Sequence, residues 1–95
     1  MELKPILIYN PIAGQGNALK RLPEVEALLA QHNFAYDLVL TDKPGAALSL
    51  AKVAAEEGRP LIIAAGGDGT VNEVINGIMQ ADLHAQQRPV MAVLP

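Results

Sequence analysis

The chain alternates short apolar runs with longer segments in which apolar residues recur every three or four positions. The runs cover residues 3–9, 35–41, 61–65 and 90–94, and each has the length of a buried strand. The segments between them have the spacing of amphipathic helices. Strands that alternate with helices and short loops predict a parallel, doubly wound α/β sheet with helices on both faces.

Boundary signals define the three predicted helices. The apolar face of the first helix contains Leu22, Val25, Leu28 and Leu29, with His32 on or beside it. Pro23 either starts this helix at its first position or kinks one that begins near Asn17. The second helix is predicted over Ala46–Glu57, and the third begins at about Thr70. The apolar face of the third helix contains Val71, Val74, Ile75, Ile78 and Met79. A polar loop is predicted over residues 81–88.

The segment between the third strand and the third helix has the composition of a phosphate-binding loop. Three glycines surround an aspartate in Gly66-Gly67-Asp68-Gly69, and Thr70 follows. Glycine allows backbone N–H groups to approach an anion closely because no Cβ blocks them. The N-terminus of the next helix presents its free N–H groups and its positive dipole end to the same place. A carboxylate beside a phosphate is useful if a metal ion or a reacting hydroxyl lies between them.

A structural alternative exists for two residues of this segment. Thr70 and Glu73 have the spacing of a capping box, in which each side chain satisfies a backbone N–H of the other. The sequence leaves two roles open for Thr70 and Glu73, the capping of the helix and contact with a ligand. A simple strand-to-helix turn does not need three glycines and an acid, so the cluster at positions 66–69 favours function.

Composition excludes several other classes of protein. The 95-residue chain has a net charge of −3 without a basic run, so we expect no nucleic-acid partner. It has no cysteine, and therefore neither a disulfide nor a thiolate metal site. No apolar run approaches the roughly 20 residues of a membrane span, and we expect a cytoplasmic protein. The Gly14-x-Gly16 pair lacks the third glycine of a dinucleotide fingerprint, because Leu19 stands in its place.

Two motifs resemble those of the diacylglycerol kinase catalytic domain family, which includes bacterial diacylglycerol kinase-like and sphingosine kinase-like lipid kinases. The Gly-Gly-Asp-Gly-Thr segment at 66–70 also resembles NAD kinases, but its continuation at 71–77 resembles the bacterial lipid kinases. Residues 9–16 resemble the N-P-x-x-G opening loop of the family. A weaker match is Thr41 with Gly45-Ala46, where Ala46 replaces the usual polar residue. The resemblance extends along essentially the whole chain.

The resemblance implies the strand order 2-1-3-4 and a nucleotide-binding domain over residues 1–95, the N-terminal part of a two-domain lipid kinase. The implied reaction transfers the γ-phosphoryl group of ATP, with Mg²⁺, to a hydroxyl of a diacylglycerol-like lipid. Asp68 is the implied catalytic residue, either as a Mg²⁺ ligand or as the group that orients the acceptor hydroxyl. The implied nucleotide contacts come from Asn10, Pro11, Gly14, Thr41, Gly66, Gly67, Asp68, Gly69, Thr70, Asn72 and Glu73.

Two alternatives to a lipid kinase stay open at this point. An NAD kinase-like enzyme is disfavoured by Asn10-Pro11 and Asn72-Glu73, and a non-catalytic nucleotide-binding module is the other. Because family members continue beyond the fourth strand, we expect a fragment that is inactive alone. Its lipid contacts and any peripheral membrane contact would lie in the missing β-rich domain. The fourth strand would be a sheet edge through which a homodimer could form, which light scattering at high concentration would test.

Overall fold

The structure, a computed structural model, describes residues 3–83 and 88–94. The elements in chain order are β1 (Ile6–Tyr9), α1 (Asn17–Gln31), β2 (Asp37–Leu40), α2 (Ala46–Glu57), β3 (Leu61–Ala65), α3 (Asp68–Gln80) and β4 (Val90–Leu94). The four strands form one parallel sheet in the order β2-β1-β3-β4. The fold class and the strand order are those predicted. β4 is an edge strand, while association through that edge stays a prediction.

The sheet separates two apolar layers, because successive strand residues point to opposite faces. On one face, Ile8 and Ile62 are fully buried in a cluster with Val74 of α3 and the alanines of α2. On the other face, Leu7 and Ile63 pack with Leu22 and other apolar residues of α1. The helices therefore cover both faces, with α2 and α3 together on one and α1 alone on the other.

A glycine sets the distance between α2 and α3. A Cβ on Gly77 would overlap the carbonyl oxygen of Leu48 and lie 2.9 Å from the Cβ of Ala51 and 3.0 Å from the nitrogen of Lys52. The buried residues of α2 are all alanines: Ala47, Ala51, Ala54 and Ala55. Small side chains on both helices thus let their backbones approach closely, and this packing holds α3 in place over the sheet.

The start of the first helix decides between the two positions predicted for Pro23. α1 begins at Asn17 and contains Pro23 in its interior, so the proline does not start the helix. Proline lacks an N–H, and the carbonyl of Leu19, four residues earlier, therefore loses its usual helical donor. β1 and β2 begin at Ile6 and Asp37, later than the predicted starts at residues 3 and 35.

The apolar stripes of α1 and α3 are narrower than predicted. In α3 the buried positions follow one line, with Val74 and Ile78 buried, whereas Ile75 is 40% and Met79 67% exposed. In α1, Leu28 is likewise 55% exposed. Each exposed residue lies about 100° around the helix from its buried or partly buried neighbour in sequence, which takes it off the line that faces the sheet. Of the predicted loop at 81–88, positions 84–87 lie outside the described residues.

None of the helices in the described part of the chain is both long enough and apolar enough to span a bilayer.

Candidate functional site

Three loops meet at the edge of the sheet where β1, β2 and β3 end. The backbone N–H of Thr41 donates to the Tyr9 carbonyl at 2.9 Å, and that of Asn10 donates to the Ala65 carbonyl at 2.9 Å. A cleft of about 440 Å³ opens between these loops, on the side of the sheet that α2 and α3 cover; we name it the rim cleft. Its lining residues are Asn10, Pro11, Ile12, Thr41, Asp42, Lys43, Pro44, Ala47, Gly69, Thr70 and Glu73.

The rim cleft brings together part of the predicted nucleotide contacts. The predicted residues that line it are Asn10, Pro11, Thr41, Gly69, Thr70 and Glu73. Gly67 and Asp68 are exposed at the turn just before Gly69. These positions lie on a single edge because the carboxyl ends of parallel strands share that edge, which is the usual ligand position in an open α/β sheet.

Three predicted contacts lie elsewhere. Gly14 is exposed in the β1–α1 loop, with a φ of +63°, and is absent from the cleft lining. Asn72 is exposed on α3, where its carbonyl accepts a hydrogen bond of 2.9 Å from the side chain of Asn76. Gly66 lines a smaller pocket of about 100 Å³ on the α1 side of the sheet, beside Tyr9 and Arg21.

Asn10 ties the first loop to the third. Its side-chain Nδ2 donates to the Thr70 hydroxyl at 3.2 Å, and its Oδ1 accepts from the backbone N–H of Ile12 at 3.1 Å. The second bond closes a turn at Asn10-Pro11. Both groups of the amide are therefore used within the protein, and they fix how the β1–α1 loop stands against α3.

Gly66 is required by packing against the same pair of residues. A Cβ at this position would lie 2.7 Å from Thr70 Oγ1, 2.9 Å from Thr70 Cβ and 3.0 Å from Asn10 Cβ. Its φ of +156° is also one that residues with a side chain rarely adopt. A glycine at this position lets the chain turn from β3 into α3 beside Asn10. Packing within the protein therefore explains why position 66 is a glycine.

The N-terminus of α3 differs from the prediction. The helix begins at Asp68, its cap is Gly67 without a side-chain capping bond, and its first backbone bond runs from Val71 N–H to the Gly67 carbonyl. Thr70 is a buried residue inside the helix whose hydroxyl faces Asn10. The capping-box alternative for Thr70 and Glu73 is therefore wrong, because Thr70 does not occupy the cap position.

The first turn of α3 has backbone donors without a helical partner. The amides of Asp68, Gly69 and Thr70 precede the first intrahelical bond. A Cβ placed on Gly67 or Gly69 would meet no atom within 4 Å, so the Cβ directions of both glycines are open. A negatively charged group at this turn would suit both the donors and the helix dipole.

The cleft contains two charged residues that sequence reasoning did not include among the contacts, Asp42 and Lys43, beside the predicted Glu73. None of the three forms an ion pair within the described residues. Lys43 follows the end of β2 by only three positions, a place in the chain that could have marked it as a rim residue. No group of three or more acidic or histidine side chains that could hold a metal occurs in the described part of the chain.

Comparisons with known proteins identify the family of this chain. A family model, the diacylglycerol kinase catalytic domain, matches residues 4–95. The diacylglycerol kinases of Staphylococcus saprophyticus and Staphylococcus carnosus are each 37% identical to this chain over 95 residues. A crystal structure of a diacylglycerol kinase from Bacillus anthracis is 35% identical and superimposes with a TM-score of 0.74.

The matches extend over nearly all of this chain but over a minor part of each relative. Both staphylococcal alignments cover 100% of this chain and 30% of the relative, and the structural match covers 97% and 32%. The chain thus spans about 30% of the length of the curated relatives. With a family model that matches residues 4–95, this chain belongs to the diacylglycerol kinase catalytic domain family.

Proposed function

We propose that this chain carries the nucleotide-binding part of an ATP-dependent lipid kinase, and that residues 66–70 form its phosphate-binding loop. One observation above all supports the proposal. The unbonded amides of Asp68, Gly69 and Thr70 begin the helix that borders a cleft formed by three strand ends, and the Cβ positions of Gly67 and Gly69 beside them are open. The relatives of this chain are diacylglycerol kinases, which favours a diacylglycerol-like acceptor.

The phosphates would bind at the first turn of α3. Backbone N–H groups donate to phosphate oxygens without a change in protonation, and the helix N-terminus adds a partial positive charge. Asp68 is an exposed carboxylate at this turn. Magnesium bound to nucleotide phosphates needs only one or two protein carboxylates, so the residues present fit such an ion, with Asp68 as its ligand. The bound ion would neutralise phosphate charge.

The remainder of the nucleotide would lie in the rim cleft. Asn10, Pro11 and Thr41 form its wall at the ends of β1 and β2, and Glu73 extends from α3 toward the ribose or the phosphates. In the transfer, the lipid hydroxyl oxygen forms a bond to the γ-phosphorus, the bond to the leaving ADP oxygen breaks, and the hydroxyl proton is released to a base. Asp68 is the candidate for orienting this hydroxyl if it does not hold the metal ion.

Nucleotide titration tests the binding step. ATP and ADP would be added to the ¹⁵N-labelled chain with and without Mg²⁺, and amide chemical shifts followed by NMR. We expect the largest changes at Gly67, Asp68, Gly69 and Thr70, with a Kd on the order of 0.1 mM or weaker for a site that buries only part of the ligand. Saturable changes confined to other parts of the chain would contradict the proposal.

Catalysis by the 95-residue chain alone is not expected. Gly67, Asp68 and Gly69 are exposed to water, whereas phosphoryl transfer needs an acceptor held in line and a reaction site that excludes water. The assay is ATP-dependent phosphorylation of diacylglycerol in detergent micelles by the purified chain. Activity that Asp68→Asn abolishes would show that the chain is sufficient and would contradict this expectation.

A further inference from the structure

Lys43 differs from the other charged residues near the sheet. It is the one cationic side chain among the described residues that line the rim cleft. Arg59 and Lys4, by contrast, lie near the amino ends of the strands, where both form ion pairs with Asp37. Lys43 has no ion-pair partner among the described residues, so its ammonium group is available to a ligand.

The charge of the rim cleft makes this lysine important. Asp42 and Glu73 give the lining two carboxylates against the single ammonium group, and Asp68 adds a third carboxylate at its mouth. A nucleotide brings further negative charge with each phosphate. Apart from the partial charge of the α3 N-terminus, Lys43 is the only cationic group that the described lining offers to offset it.

The backbone around Lys43 is fixed although its side chain is free. Its carbonyl accepts a hydrogen bond of 3.2 Å from the backbone N–H of Ala46, which closes a turn at the start of α2. Pro44 follows, and a residue before proline is restricted to extended conformations. The long side chain therefore starts from a defined point on the part of the rim cleft that the β2–α2 loop forms.

We propose that Lys43 binds a phosphate oxygen of the nucleotide and so makes affinity depend on phosphate number. This inference rests on the proposed nucleotide site and assigns a role to a residue whose identity none of the sequence motifs specifies. A lysine ammonium acts as a compact point charge, and its attraction for the ligand grows with the negative charge that each phosphate adds. Loss of Lys43 should therefore weaken ATP more than ADP, and ADP more than AMP.

The test compares Lys43→Met with the wild-type chain in NMR titrations of ATP, ADP and AMP. We expect the Kd for ATP to rise about threefold to tenfold, the range for an exposed charge contact. The change for AMP should be smaller, and Lys43→Arg should retain most of the affinity for ATP. Lys4→Met is the matched control, because it removes the same charge at the opposite edge of the sheet and should leave all three affinities unchanged.

The outcomes separate this inference from the proposed function. If the amides of the α3 first turn report the same Kd for ATP in wild type and in Lys43→Met, the proposed site is supported and the role of Lys43 is overturned. An equal loss for ATP and AMP would also overturn it, since Lys43 would then act on the nucleoside or on loop shape. If ATP leaves the wild-type amides unchanged, both proposals fail. The chemical-shift dispersion of each NMR spectrum shows whether the variant is folded. If Lys43→Met fails to fold, Lys43→Gln removes the same charge and takes its place.

Discussion

The side-chain amide of Asn10 donates a hydrogen bond to the hydroxyl of Thr70 at 3.2 Å, across 60 positions of sequence. This contact joins the loop after β1 to the first turn of α3. Since Oδ1 of Asn10 also accepts from Ile12, the amide is used on both sides by the protein itself. The residue is therefore a link between two loops of the candidate site, and it also lines the rim cleft.

Asn10→Ala should destabilise the fold. The change removes a partly buried hydrogen bond to Thr70 and an exposed one from Ile12, and it leaves the Thr70 hydroxyl without its donor, at a cost of about 1–2 kcal/mol. Urea unfolding measures this difference. Asn76→Ala is the matched control, because the Asn76 amide bonds only to the Asn72 carbonyl on the exposed face of α3. Equal stability of Asn10→Ala and wild type would show that the loop link is energetically unimportant.

Gly66→Ala should lower stability, whereas Gly69→Ala should leave stability intact and weaken ATP binding. The first places a methyl group 2.7 Å from Thr70 Oγ1 and should cost about 2–3 kcal/mol of stability. The second places it in open space and should leave stability unchanged or slightly higher. Gly69→Ala should nevertheless weaken ATP binding by obstructing the amides of α3. Thermal unfolding and NMR titration measure the two properties; normal ATP affinity in Gly69→Ala would argue against phosphate at this turn.

Gly77→Ala should separate α2 from α3. Its methyl group would meet the Leu48 carbonyl oxygen and the Ala51 side chain, and backbone atoms cannot move aside as a flexible side chain could. We expect a net loss of about 2 kcal/mol, despite the higher helix propensity of alanine. Denaturant unfolding checks this, with Gly69→Ala in the same helix as the control. An unchanged midpoint would mean that the helix pair can relax.

Asp68→Asn should affect turnover without affecting the fold. In a protein of the relatives' full length, we expect a loss of about two to three powers of ten in kcat, because an amide is a poor magnesium ligand and a poor base. The side chain is exposed at the start of α3, so unfolding midpoints should agree with wild type. Turnover close to wild type would remove Asp68 from the mechanism.

The stability of the domain should fall in acid through Asp37. A hydrogen bond from Arg59 holds the pKa of the Asp37 carboxyl below its ordinary value of 3.8. The carboxylate is therefore favoured in the folded state. Its contribution is fully present above the unfolded pKa and is lost as pH falls through the folded one, that is, below about pH 4.

Urea midpoints measured between pH 2 and pH 7 would reveal this contribution. Asp37→Asn should flatten the acid limb of the profile, whereas Asp42→Asn, which removes a carboxylate without an ion pair among the described residues, should not. The effect should be small and should decrease with added salt, because the Asp37 side chain is 44% exposed. Identical acid limbs for Asp37→Asn and wild type would rule out the Arg59 pair as their cause.

The sequence by itself determined the features that depend on local periodicity and on loop composition. Strand length, helix spacing and the turn glycines predicted four parallel strands and three helices. The bounds of α2, β3 and β4 agree with the prediction, because each of these elements has a continuous pattern and clear breakers. The family motifs supplied the strand order. The sequence also placed Asn10, Thr41 and Gly69 at strand ends, and parallel pairing then brings those ends to one edge.

Only the tertiary structure decided which residues face each other. The partner of Thr70 lies 60 positions away, so local spacing suggested Glu73 instead, and with it a capping box that does not form. Helical periodicity alone could not show that Met79 is exposed, because the width of a buried stripe depends on what packs against it. No motif specifies Lys43, and it lines the site because β2 pairs with β1, so that the loop after β2 and the start of α3 border the same cleft.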